Sequence, residues 1–173
     1  MAINITDQIT EVKRAYIKQM VVMVVGLGYV GLPLAEALSH HSKVIGFDMD
    51  TKRVQMVNSS NNHGFLATVD PQPMREADFI IIAVPTPVTR TKEPDLSYVI
   101  SASRTVSQNM KLGCTVILES TVYPGVTEEI VKPILEESGK QCGLKPLLTG
   151  YNRHHLLVSL AYIYERRYLR CLN

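Results

Sequence analysis

Residues 20–53, MVVMVVGLGYVGLPLAEALSHHSKVIGFDMDTKR, constrain the fold of this chain more than any other stretch. Six apolar residues, 20–25, run straight into Gly26-Leu27-Gly28-Tyr29-Val30-Gly31, and an apolar-periodic segment follows. An unbroken apolar run of that length reads as a strand buried on both faces, which calls for a sheet covered by helices on either side. The glycine spacing fits G-x-G-x-x-G in the context that gives it meaning, with a strand before it and a helix after it. A second apolar run, 43–47, ends at Asp48, 20 residues beyond Gly28. The acid therefore stands at the end of a neighbouring strand.

Each part of this stretch has a physical task. Gly26 permits the tight turn out of the strand, Gly28 lets backbone approach a pyrophosphate, and Gly31 lets the helix pack close to the sheet. The N–H groups of the first helical turn and the positive end of its dipole would face the phosphates. Candidate pyrophosphate residues are thus Gly26, Leu27, Gly28, Tyr29, Val30 and Gly31, and Asp48 is placed for the adenosine ribose hydroxyls. A carboxylate there repels a 2'-phosphate and favours NAD over NADP. Arg53 argues the other way, since a nearby arginine can accept that phosphate.

The rest of the chain alternates strand and helix. After a helix over about 32–40 and the strand at 43–47, Asp50 is a candidate N-cap for a helix reaching about residue 57. His40 and His41 suit a helix C-terminus, and no metal role is assigned to them. Residues 58–73 are turn-rich, with a short strand suggested at 65–69. Residues 79–84 form the next buried-type strand, closed by Pro85-Thr86-Pro87-Val88. Two prolines stop its ladder and fix the loop. A helix from Asp95 to about Met110, a strand at 114–118, the segment Glu119-Ser120-Thr121-Val122-Tyr123-Pro124-Gly125 and a helix over about 126–137 follow. Pro133 should kink that last helix, and residues 144–148 are expected to form a sixth strand. The pattern predicts a Rossmann-type doubly wound parallel sheet with helices on both faces. Ligands of such sheets bind beyond the strands' carboxyl ends, which puts Thr86 at the site.

Composition narrows the class. A chain of 173 residues with 46% hydrophobic and 20% charged content can bury one full core. No apolar run is long enough to span a membrane, and residues 1–19 lack a signal-type apolar core, so the expected location is cytoplasmic. Cys114, Cys142 and Cys171 have neither metal nor disulfide spacing. Residues 152–173 carry a net charge of +3, which leaves a body of −1 that does not suit nucleic acid.

With VVGLGYVGLPLAEALS, VIGFDMDTKRV, EADFIIIAVPTPV, PDLSYVISA and ESTVYPGVTEEIVKPIL in this order, the chain resembles the UDP-glucose/GDP-mannose dehydrogenase family over about residues 20–151. The Ser-Thr-Val-Tyr-Pro-Gly form is most similar to the branch that oxidises UDP-N-acetylhexosamines for surface polysaccharides. The resemblance implies oxidation of a sugar C6 alcohol to a carboxylate with two NAD+ in turn, through an aldehyde captured by cysteine. It also implies that Asp48 and Arg53 hold the adenosine end and that Val84 to Val88 flank the cofactor. Ser120 and Thr121 would lie near the nicotinamide, with the Thr121 hydroxyl positioning a reacting water or substrate oxygen.

The likeness stops at Gly150-Tyr151, which resembles the opening of the family's Gly-Tyr-Ser-Pro-Glu-Arg loop. The chain continues instead with Asn152-Arg153-His154-His155. The family's glutamate, lysine, asparagine and nucleophilic cysteine belong to a later part, so a UDP-sugar is expected as a partner only if a catalytic half is supplied. Self-association remains open. Three domains of sequence result: an extension at 1–19 with a short helix over 6–19, the NAD-binding domain at 20–151, and a basic tail at 152–173. The tail's Leu156, Leu160, Tyr164 and Tyr168 suggest a helix. A frame-shifted or truncated product, a native ending that covers the sheet flank, and a segment for a membrane surface or partner are the three accounts of it.

Overall fold

The computed structural model describes residues 17–60, 64–88, 94–139, 141–143 and 161–165. Strand β1, Val21–Val25, is the middle one of five parallel strands, and its Met23 and Val24 are wholly buried. Helix α1 (Gly31–Ser39) leads to β2 (Lys43–Phe47), and α2 (Thr51–Ser59) leads to β3 (Leu66–Thr68). A 3-10 turn, Gln72–Arg75, precedes β4 (Phe79–Ile82). Helix α3 (Ser97–Asn109) then precedes β5 (Thr115–Leu118). A π-helical segment, Thr127–Val131, runs into the short α4, Lys132–Glu136, and β6 (Gln141–Gly143) and β7 (Ala161–Glu165) complete the described elements.

The sheet order is β3-β2-β1-β4-β5-β7-β6. The first five strands are parallel, with Val22 opposite Val44 on one side and Phe79 on the other. From β1 the chain winds outward to β3, then crosses back to β4. That reversal leaves a crevice at the carboxyl ends of β1 and β4, where an open α/β sheet takes its ligands.

Side chains alternate along each strand with period two, so the sheet carries two cores. Met23, Val25, Ile80 and Ile82 pack with Val99 and Val106 of α3 and Leu135 of α4. Val22, Val24, Val44 and Ile81 pack on the other face with Ala35 of α1 and Val54 and Val57 of α2. Helices therefore cover both faces, as the double winding predicts. Asp50 caps α2, accepting from the backbone N of Lys52 at 2.9 Å and of Arg53 at 3.4 Å.

Three expectations change. The helix expected over 126–137 is split: the Lys132 N–H bonds to Thr127 O, one residue further back than an α-helix allows. Pro133 explains the widening, because its ring would clash with the carbonyl four residues earlier and it has no N–H to offer. The tail, expected to be helical, is a strand over residues 161–165, antiparallel to β5. Strand β5 has an otherwise free edge whose N–H and C=O groups need partners, and Tyr162, Ile163 and Tyr164 are strong strand formers. Finally, β6 at Gln141–Gly143 was not expected. The strand expected at 144–148, most of the helix expected at 6–19 and the rest of the tail lie outside the described residues.

Candidate functional site

The three glycines of the loop prove to have different duties. Gly26 takes φ +96°, and a Cβ there would stand 2.7 Å from the Ala83 carbonyl oxygen. A Cβ on Gly31 would lie 1.7 Å from the carbonyl oxygen of Gly26. Both are required by the packing of loop, helix and strand. Gly28 is different: its φ is not left-handed, and an added Cβ would meet only the Arg53 Nη1 at 3.4 Å, the end of a flexible side chain. The fold does not need a glycine here, so the open space above it serves whatever lies over the loop.

Around that space stand an anchored carboxylate and the N–H groups that begin α1. Leu27 buries its side chain and turns its N–H to Asp48 Oδ2 at 2.8 Å, while Asp48 Oδ1 accepts from Asp50 N at 2.9 Å. The carboxylate is thereby fixed against the loop, with lone pairs left for hydroxyl donors. Tyr29 and Val30 are exposed, and the α1 backbone ladder begins only at Leu32 N to Gly28 O. The preceding N–H groups belong to the unpaired first turn of a helix.

Beside the loop is a cavity of about 430 Å³ whose lining includes Gly26, Asp48, Met49, Arg53, Val84 and Pro85. Its far wall is α3, through Tyr98, Ser101, Ala102 and Thr105. Sequence reasoning missed this wall, although Tyr98, Ser101 and Thr105 recur at helical spacing opposite the buried Val99 and Val106. A larger cavity, about 760 Å³, lies along β2 and β3 and includes Lys43, Asn58 and Leu66. It touches no residue of the glycine loop. The chemistry favours the smaller one.

At the ends of β4 and β5 the two loops are tied together. The Ser120 hydroxyl, 4% exposed as a residue, donates to the Val84 carbonyl at 2.8 Å. The Thr86 hydroxyl donates to the Thr121 carbonyl at 2.7 Å. Thr121 is itself exposed. Cys114 is wholly buried, and burial pushes its thiol up to about 12, so it stays protonated and unreactive at neutral pH. Among the described residues, no group of three or more His, Cys, Asp or Glu is placed to hold a metal. Nor is any described helix long and apolar enough to cross a membrane.

A doubly wound sheet with its glycine loop and acid at the switch point defines a Rossmann-type dinucleotide-binding domain. Residues 20–65 and 60–149 match the UDP-glucose/GDP-mannose dehydrogenase family, NAD binding domain, and the chain belongs to that family. It is 42% identical over 144 residues to Protein CapL of Staphylococcus aureus, covering 76% of this chain and 34% of that protein. It is 35% identical over 149 residues to the UDP-N-acetyl-D-glucosamine 6-dehydrogenase of Salmonella typhi, covering 79% of this chain and 35% of the other. The solved UDP-D-ManNAc dehydrogenase of Pyrococcus horikoshii superposes with a TM-score of 0.67 at 32% identity, over 72% of this chain and 34% of that one. The chain thus spans about a third of the length of these relatives, and the part it spans is the NAD-binding domain.

Proposed function

We propose that the chain is the cofactor-binding part of a nucleotide-sugar 6-dehydrogenase, which oxidises the C6 alcohol of a UDP-N-acetylhexosamine to the uronate. The observation that carries this reading is the open face of Gly28 between Asp48 and Arg53, a cradle that a side chain would fill and that the fold itself does not need. The names of the relatives support the sugar class.

In this reading the loop from Gly26 to Gly31 holds the pyrophosphate through the N–H groups at the start of α1, those of Gly26 and Leu27 being bonded to Phe47 and Asp48, and Asp48 accepts from the ribose hydroxyls. Arg53 offsets phosphate charge from above the loop. Val84, Pro85, Thr86, Pro87 and Ser120 form or support the wall beyond, and the Thr121 hydroxyl orients a reacting oxygen. NAD+, when bound, supplies the acceptor for the hydride leaving C6. Cys114 is buried and protonated, so it does not serve as the nucleophile. In this reading the thiol that captures the aldehyde comes from a further segment or another chain.

The test is a calorimetric titration of the 173-residue chain with NAD+ and NADP+, before and after Asp48→Ala. Saturable NAD+ binding that weakens at least tenfold in the variant, while tolerance of NADP+ improves, is the expected result. Equal affinities of both forms for both dinucleotides would remove Asp48 from the site.

A second reading, a dinucleotide-binding module without turnover, is favoured by the antiparallel pairing of β7 with β5. In the extended order of such sheets that edge accepts a further parallel strand. Mixing with a candidate catalytic half and a UDP-sugar separates the two: NADH formation supports the first reading and its absence the second.

A further inference from the structure

Backbone pairing between β4 and β5 runs only as far as Ile82 opposite Leu118, with Glu119 N still reaching Ile82 O at 2.7 Å. Beyond that point Pro85 and Pro87 have no N–H, and the ladder cannot continue. Two hydroxyls take over. Ser120, on the β5 side, donates across to Val84, and Thr86, on the β4 side, donates back to Thr121. The bonds run in opposite directions between the same two loops, so together they resist both sliding and splaying. Ser120 is buried and commits its proton to Val84, and Thr86 commits its own to Thr121.

We propose that Thr86 and Ser120 are positioning residues, a pair of hydroxyl struts that set the distance between the β4 and β5 loops and so hold Thr121 in place. They act on the ligand through the wall they brace. This rests on the cofactor reading above and extends it, because that reading does not say what fixes the wall.

The strand order says which ligands should feel the struts. Neighbouring strands lie about 4.8 Å apart, so β5 is roughly 14 Å from β2 across the carboxyl ends. A ligand with its ribose at Asp48 and its pyrophosphate over Gly28 extends its remaining half towards β4 and β5. AMP, anchored at Asp48, shares its cavity with Val84 and Pro85 of the β4 loop but ends before it reaches the β5 loop.

The experiment is calorimetry on the full chain with NAD+ and with AMP, alongside hydrogen exchange of the 119–126 segment in the ligand-free protein. Thr86→Val keeps the shape and removes the hydroxyl. It should lower NAD+ affinity about five- to tenfold, lower AMP affinity clearly less and speed exchange at 119–126, and Ser120→Ala should behave likewise. Thr86→Ser should restore all three. Equal losses for AMP and NAD+ would mean general destabilisation and overturn the proposal, as would unchanged NAD+ binding. Should the wild-type chain bind neither ligand, the cofactor reading fails, and exchange at 119–126 still decides the struts: unchanged exchange in Thr86→Val overturns them.

Discussion

Gly28 and Gly31 are three residues apart in one motif, yet substitution at each should give opposite results. Gly31→Ala must move Gly26 or the start of α1, since its Cβ would overlap the Gly26 carbonyl oxygen. A loss of about 1–3 kcal/mol is expected in denaturant unfolding. A Cβ at Gly28 meets only the tip of Arg53, so by comparison with Gly31→Ala the unfolding midpoint of Gly28→Val should stay closer to the wild type. Its NAD+ affinity should nevertheless fall at least a hundredfold, because the new methyl groups occupy the pyrophosphate's approach. The motif shows three glycines and assigns each a general duty. Which one is free for a ligand depends on the Ala83 carbonyl, 57 residues from Gly26, and on where Arg53 extends. Ser120 teaches the same lesson. Its place next to Thr121 is legible, but its burial and its bond to Val84 follow from the packing of two distant strands.

Among the elements, β1, α1, β2 and α2 were legible because their signals are local: an apolar run, helical spacing and a cap. The π-helical widening before Pro133 was legible as a kink, since the missing N–H is a property of the residue itself. Strand β7 was not legible. Fourfold spacing of Leu156, Leu160, Tyr164 and Tyr168 suits a helix, and only the free edge of β5 decides otherwise for residues 161–165. The opposite end of the sheet holds a testable ion pair. Asp78 accepts from Val21 N at 2.9 Å and from Lys111 Nζ at 2.6 Å. Burial alone would raise its pKa, but the Lys111 hydrogen bond, the Val21 N–H and the Lys111 charge outweigh it and hold the carboxyl below the ordinary 3.8. A group with a depressed folded pKa stabilises above the unfolded value, and that stability is lost as pH falls through the folded value. Stability should therefore drop below about pH 4, and Asp78→Asn should flatten that acid limb in pH-dependent unfolding. The effect will be small, because Asp78 and Lys111 are 39% and 36% exposed and solvent screens the pair.

At the scale of the whole molecule, among the described residues the sheet has β3 and β6 as its outer strands, and β7 covers the edge of β5. A variant lacking residues 161–165 exposes the β5 edge over Thr115, Val116 and Ile117. Such an edge pairs readily with another chain. Light scattering should show concentration-dependent association for that variant beyond that of the parent chain, and identical masses would show that β7 does not protect the edge.

The sequence by itself determined a strand, a glycine turn, a helix and an acid one strand away, because steric freedom, side-chain period and capping act within a few residues. From these alone the doubly wound fold and its NAD-binding character could be read. Only the tertiary structure decided which glycine has open space beside it, that α3 supplies the far wall of the cavity, that two hydroxyls tie the β4 and β5 loops, and that part of the tail is a strand. Each depends on groups brought together across the sheet from distant parts of the chain, and no local pattern encodes what a side chain will find opposite it.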